Sequence, residues 1–164
     1  MADRRCSLPE HDLTLHLVSG KHTSAEGIRY FQSLDPSCAT RWLSYFDSTV
    51  DMARLDIASA PEIKRAIVEK RRELFGEHAK PYAIVCESER SRQYFFEFWS
   101  RYFVGPDAHA ENLRCFHSLE EAYDWLELSQ AGRAAVARAI EDWETARARD
   151  DRESPAAARD GPNP

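Results

Sequence analysis

The sequence predicts an α/β fold: a single small domain built on a mostly parallel sheet of about four strands, with helices packed on it. Runs typical of strands alternate four times along the chain with runs typical of helices, and this alternation is the pattern of parallel sheets with crossover helices. The length of 164 residues is that of one domain. The hydrophobic content of 43% is ordinary for a globular protein.

The first strand and helix are predicted from the beginning of the apolar pattern. Residues 13–18, LTLHLV, alternate leucines with other side chains, which predicts a strand with two distinct faces. After it, Thr23 or Ser24 provides a helix cap, and Glu26 follows as in a capping box. The helix is expected to stop before Pro36, since the residue before a proline disfavours helical backbone.

The second strand and helix and the third strand are equally distinct. The aromatic segment Arg41–Asp47 predicts a strand. Ser59 is positioned to cap the next helix, with Pro61 in the first turn and Gly76 as its stop. The continuous apolar run Tyr82–Cys86 is typical of a central parallel strand that is covered on both faces.

The last repeat of the pattern begins with an aromatic helix, predicted over residues 91–104 and closed by Gly105 and a proline. A short strand over Leu113–Phe116 follows it. Ser118 then caps a helix, and Glu121 stands three positions on, as a capping box requires.

Four segments describe the organisation of the chain. Residues 1–12 are predicted to be a flexible N-terminus, and residues 13–128 form the domain. Residues 129–150 add an amphipathic helix, because large apolar side chains recur there at steps of four and three: Val136, Ile140 and Trp143. Residues 151–164 hold no large apolar residue and are predicted to be a disordered tail.

Composition excludes several classes of function. A net charge of −6 and a pI near 5.5 argue against nucleic-acid binding, which needs clustered Lys and Arg. No apolar run approaches the ~18 residues of a membrane span, and no signal peptide is visible, so we expect a cytoplasmic protein. The four cysteines are scattered without zinc-ligand spacing, and they are expected to be free thiols.

Catalytic and cofactor motifs are not found in the sequence. There is no GxSxG nucleophile elbow, and the six dispersed glycines form neither a phosphate-binding loop nor a dinucleotide fingerprint. His11 and His16 point to opposite faces of an extended strand, which disfavours a metal site there. The loop DSTVDMARLD lacks the Gly and Glu of a calcium loop. We therefore predict no catalytic residue, metal or cofactor.

The aromatic helix is the strongest candidate for a binding surface. Its segment RQYFFEFWSRYF holds seven of the eighteen aromatic rings of the chain. Steps of four residues place the rings in two adjacent stripes: Phe95, Trp99 and Phe103 in one, and Tyr94, Phe98 and Tyr102 in the other. The first stripe is expected to cover the sheet. The second then needs cover from the C-terminal helix, a second copy of the chain, or a ligand.

Four pieces of the sequence carry a family resemblance: LHLVSGKHTSAE (Leu15–Glu26), WLSYFDST (Trp42–Thr49), PYAIVCES (Pro81–Ser88) and RCFHSLEEAYDWL (Arg114–Leu126). Over about Leu13 to Leu128 the chain resembles the SpoIIAA-like proteins of the STAS/SEC14-like superfamily. The matching positions are Gly20, Thr23, Phe116, Glu120, Glu121, Ala122, Trp125 and Leu126. The resemblance implies a small α/β domain with a sheet on one side and helices on the other.

The resemblance also implies a mode of action. The founding members of the group bind a kinase partner and are phosphorylated on a Ser at the start of the helix after the second core strand. The nearest equivalents here are Ser48, which follows Asp47, and Ser59, which precedes Pro61. Neither serine is followed two residues later by the Gly of that group.

Three functional hypotheses follow. The first is a non-enzymatic, cytoplasmic STAS-like domain that acts by binding a protein partner, a second copy of itself or a small ligand. The second is a binder of an apolar small molecule or lipid under the aromatic helix. The third is a hydrolase without a recognised motif. None of them involves nucleic acid or integral membrane association.

Overall fold

A five-stranded sheet forms the centre of the structure, a computed structural model that describes residues 3–51, 57–102 and 112–153. For residues 57, 96–102 and 151–153 only the backbone is described. The strands are β1 (Asp3–Leu8), β2 (Leu13–Val18), β3 (Arg41–Phe46), β4 (Tyr82–Cys86) and β5 (Leu113–Phe116). The helices are α1 (Ser24–Gln32), α2 (Ala60–Phe75), α3 (Glu89–Tyr102), α4 (Leu119–Trp125) and α5 (Gln130–Glu153).

The sheet is mixed, with the spatial order β1-β2-β3-β4-β5. Strands β2 to β5 are parallel, whereas β1 runs antiparallel to β2, with Asp3 opposite Val18 and Leu8 opposite Leu13. The prediction of about four mostly parallel strands is therefore wrong in number, and residues 3–8 of the predicted flexible N-terminus are an edge strand. The sequence of this strand, DRRCSL, does not indicate a strand, because charged side chains are common on exposed edges and weaken the apolar alternation.

Helices cover both faces of the sheet. On one face, α1, α2 and α3 contribute to a core that includes Phe31, Ile67 and Phe95. This placement follows from connections that all step in one direction along the sheet with the usual right-handed crossover. On the other face, α4 packs on β4 and β5 and α5 packs on β1 and β2, around a core that includes leucines of β2 and β3. The one-sided arrangement implied by the family resemblance is not what this chain adopts.

The C-terminal helix α5 is part of the second layer. Val136, Ile140 and Trp143 are buried among side chains of the sheet, and so α5 lies on the face opposite α3. It therefore does not cover Tyr94, which is the member of the second aromatic stripe whose side chain is described. Residues 154–164 of the predicted tail lie outside the described residues. Within the described part of the chain, no helix has both the length and the apolar character of a membrane span.

Helix starts agree with the sequence in two places and differ in one. Thr23 caps α1 with a full capping box, in which its own amide donates to Glu26 Oε2 at 2.8 Å. Ser118 Oγ accepts the amide of Glu121 at the start of α4. Ser59, by contrast, makes no side-chain cap bond. Its backbone is already helical because the 3₁₀ turn Ile57–Ser59 leads directly into α2.

Shortening Val136 tests whether α5 belongs to the core. Val136 is fully buried, so Val136→Ala removes two methyl groups from a packed site and should lower the free energy of unfolding by about 2 kcal/mol. The exposed neighbour Arg138 is the control, and Arg138→Ala should cost less than about 0.5 kcal/mol. Urea unfolding measures both variants. Equal stability of the two would show that α5 does not pack on the sheet.

Candidate functional site

A cleft of about 380 Å³ lies at the carboxyl ends of β3 and β4. The turn after β3 forms one wall and the first turn of α3 forms the other. In open α/β sheets, ligands bind outside the carboxyl ends of the strands. Because α2 and α3 lie on the same face of this sheet, the cleft is formed by the turn and the helix start themselves and not by helices that diverge to opposite faces. The residues that line the cleft are Ser48, Val50, Asp51, Ser88, Arg90, Ser91 and Tyr94.

The turn after β3 is held by the buried carboxylate of Asp47. Asp47 Oδ1 accepts hydrogen bonds from the amide of Thr49 at 2.9 Å and from its hydroxyl at 2.6 Å. The amide of Ser48 donates to Glu87 Oε2 at 2.8 Å, which connects the turn to the end of β4. These bonds leave the Ser48 side chain exposed at the cleft.

The wall formed by α3 is connected to the turn. Ser88 Oγ accepts the amide of Ser91 at 3.4 Å, which caps the first turn of α3. The buried Ser91 hydroxyl donates to the carbonyl of Val50 at 3.0 Å, which bridges the two walls. Helix N-termini carry partial positive charge, and Arg90 adds a full positive charge beside it. The cleft therefore offers hydroxyl groups and a cation, with Asp51 as the one acid among its described lining residues.

The candidates predicted from the sequence are distributed between this cleft and the core. Ser48 and Tyr94 line the cleft. Phe95 is buried, and its ring centroid lies 5.2 Å from that of Phe46 in the core. Ser59 is half-buried at the start of α2 and is not among the described residues of the cleft. The other candidates lie outside the described side chains: Phe98, Trp99, Tyr102 and Phe103.

A buried polar network crosses the core between the sheet and α1. His16 Nδ1 lies 3.3 Å from Ser44 Oγ, and Ser44 Oγ lies 2.9 Å from the Tyr82 hydroxyl. The imidazole of His16 stacks on Tyr30, with ring centroids 3.5 Å apart and an angle of 8° between the planes. The sequence gives no signal for this network beyond polar residues within apolar strands, since its members come from three strands and a helix.

The edge strand β1 adds a carboxylate to this network. Asp3 Oδ2 lies 3.5 Å from His22 Nδ1 and 3.9 Å from His16 Nε2. Asp3, His16 and Ser44 thus follow the order of a catalytic triad. Ser44, however, is only 1% exposed in the middle of β3, and 3.9 Å exceeds a hydrogen bond. This arrangement gives a substrate no access to the serine.

The residues that the structure describes form no metal site, and two of their thiols are poorly nucleophilic. No group of three or more His, Cys, Asp or Glu side chains there is placed to hold a metal ion. The four cysteines are free thiols, as predicted. Burial raises the pKa of Cys86 to about 12 and also raises the pKa of Cys115, so both thiols stay protonated and poorly nucleophilic at neutral pH.

Comparisons with known proteins add no family. No protein-family model matches the chain, and neither a curated protein nor a solved structure matches it. The functional argument therefore depends on the geometry of the cleft and of the buried network.

Acidification tests the buried network. Burial lowers the pKa of His16, and the nearby Asp3 offsets this only in part, while His22 and Arg5 lower it further. A group with a lowered pKa stabilises the fold above its unfolded pKa, ~6.5 for His, and loses that contribution as the pH falls. We expect the free energy of unfolding to decrease from pH 7 to pH 5, and to decrease less in His16→Phe.

The exposed His78 provides the control for this measurement, and His78→Gln should keep the pH dependence of the unmodified chain. Urea unfolding at several pH values measures all three proteins. A His16→Phe variant with the same slope as the unmodified chain would show that His16 is not the titrating group.

Proposed function

We propose that the chain is a cytoplasmic, non-enzymatic binding domain of the STAS type, which takes a small polar ligand or a polar segment of a partner protein in the cleft. The observation that supports this proposal is the cleft at the carboxyl ends of β3 and β4, with both walls connected by the hydrogen bond from Ser91 to Val50. The cleft lies at the carboxyl ends of parallel strands, which is the end of the strands at which open α/β sheets bind ligands.

The chemistry of the lining favours binding over catalysis. A hydrolytic site needs a nucleophile beside a general base. The described lining offers serine hydroxyls and the carboxylate of Asp51, but no histidine or lysine as their base. The one histidine–serine contact described above, between His16 and Ser44, is buried in the core. Hydroxyl groups beside a cation are suited to holding a polar group by hydrogen bonds.

The same lining favours a polar ligand over the apolar ligand or lipid that the aromatic helix suggests. The side chains of two aromatic candidates are described. Phe95 packs on Phe46 in the core, and Tyr94 lines a cleft rich in hydroxyl groups. An apolar ligand would shield the Ser48 hydroxyl and the Arg90 guanidinium from water without replacing their hydrogen bonds to water, which costs free energy.

Phosphorylation on Ser48 or Ser59 stays a prediction of the family resemblance. Ser48 is the better suited of the two because it is exposed beside the cleft, whereas Ser59 is half-buried. A phosphate on Ser48 would add about −1.5 to −2 charges next to Glu87, which accepts the Ser48 amide. We expect such a modification to repel Glu87 and to compete with a ligand for the cleft.

Filling the cleft tests the proposal. Ser48→Trp places a large ring at the cleft, and Ala137→Trp places the same ring on the exposed side of α5 as a control. Each protein is recovered from an extract of the cells that make it and examined by native mass spectrometry. We expect the unmodified chain and Ala137→Trp to carry a bound molecule or partner that Ser48→Trp lacks. Identical spectra for all three proteins would contradict a site in this cleft.

A further inference from the structure

The helix on the far face of the sheet reaches the cleft through one arginine. Arg147 lies in the last two turns of α5 and donates a hydrogen bond from Nη1 to Asp47 Oδ2. The Asp47 side chain is 6% exposed and that of Arg147 is 28% exposed, so the ion pair is largely shielded from water. Asp47 is the residue whose other oxygen holds the turn that forms one wall of the cleft.

The position of Arg147 is fixed by the second core. Its guanidinium carbon lies 5.0 Å from the centroid of the Trp143 ring, at a distance typical of a cation–π contact. Trp143 is buried, and its ring meets Tyr45 of β3 edge-on with centroids 6.5 Å apart. The packing of α5 on the sheet therefore holds the guanidinium in place through Trp143, and Arg147 is not a freely rotating surface side chain.

Two chains of side-chain contacts connect the face of the sheet covered by α5 with the turn of the cleft. The first continues from Asp47 to the side chain of Thr49, whose hydroxyl oxygen accepts the amide of Gly20 at 3.0 Å. The second passes through Tyr45, which Trp143 contacts edge-on. Burial, and next the nearby carboxylate of Glu87, raise the pKa of the Tyr45 hydroxyl, and Glu87 is the acceptor of the Ser48 amide. The turn is thus held from the opposite face of the sheet as well as from its own strand.

We propose that Arg147 is a positioning residue for the cleft, and that it couples the packing of α5 on the sheet to the conformation of the turn at residues 47–51. The biological meaning of this coupling rests on the proposed function, since the turn is a wall of the proposed binding site. Without the arginine, Asp47 is a shielded carboxylate that has lost its cation, and the turn that it organises loosens. Because coupling is reciprocal, a ligand that fixes the turn also stabilises the packing of α5 on the sheet.

Amide hydrogen exchange without any ligand tests the coupling. Arg147→Gln removes the charge, Arg147→Lys keeps the charge but loses the planar fork, and Arg149→Gln is a control on the exposed side of the same helix. We expect the amides of Ser48, Thr49 and Val50 to exchange about tenfold faster in Arg147→Gln, with a smaller increase in Arg147→Lys. Arg149→Gln and the amides of β2 should match the unmodified chain.

A second measurement connects the coupling to binding. Native mass spectrometry of Arg147→Gln, recovered as for Ser48→Trp, should show at least a tenfold lower occupancy of the bound molecule. Faster exchange confined to α5, with an unchanged turn, would mean that Arg147 only anchors the helix and would overturn the proposal. Amide hydrogen exchange is measured without a ligand. It therefore tests the coupling even if Ser48→Trp shows that the cleft is not the binding site.

Discussion

Burial of the three central strands on both faces is the constraint on which the rest of the structure depends. Every residue of β2 and β4 is buried, and so is every residue of β3 after Arg41. A sheet of this kind is stable only between two layers of helices. The α1–α3 layer therefore needs the α4–α5 layer, and polar side chains within the strands must find partners inside the protein. Ser44 meets this need by bonding to both His16 Nδ1 and the Tyr82 hydroxyl, whereas the buried Nε2 of His16 has no hydrogen-bond partner among the described residues and lies 3.9 Å from Asp3 Oδ2.

The same constraint limits where function can reside. With both faces of the central strands occupied, polar groups of several elements meet water at the strand ends: at the amino ends beside Asp12 and Arg41, and at the carboxyl ends in the cleft. The cleft there joins the turn after β3 to the start of α3 through Ser91 and Val50. The opposite layer also reaches this point, through Arg147 and Asp47. Both helical layers thus contact one small turn, residues 47–51, which is also a wall of the proposed binding site.

Much of the layout follows from local sequence patterns. The strands at residues 13–18, 82–86 and 113–116 occur as predicted, because their apolar content matches burial on a sheet. The edge strand β1 does not follow from the sequence, since pairing with β2 stabilises a segment whose own side chains are mostly charged or polar. The spacing in α5 predicts a helix, but spacing alone does not indicate which face of a sheet that helix covers.

The candidate site was predictable only in part. The family resemblance indicates Ser48 and the aromatic excess indicates Tyr94, but neither pattern predicts that the two residues line one cleft. Their proximity depends on the register of β3 beside β4, which places the ends of the two strands level with each other. The pairing of Arg147 with Asp47 spans 100 residues and two layers, and no local pattern encodes it.

Removal of α5 tests the central claim most directly. The claim is that the C-terminal helix is one of the two layers that the sheet requires, so a chain that ends at Ser129 should expose the leucines of β2 and β3. We expect this shortened chain to bind the dye ANS at neutral pH and to show no cooperative unfolding in urea, as a protein without fixed packing does. Cooperative unfolding with a free energy within about 1 kcal/mol of the full chain, a difference no larger than that of an average point mutation, would contradict the account.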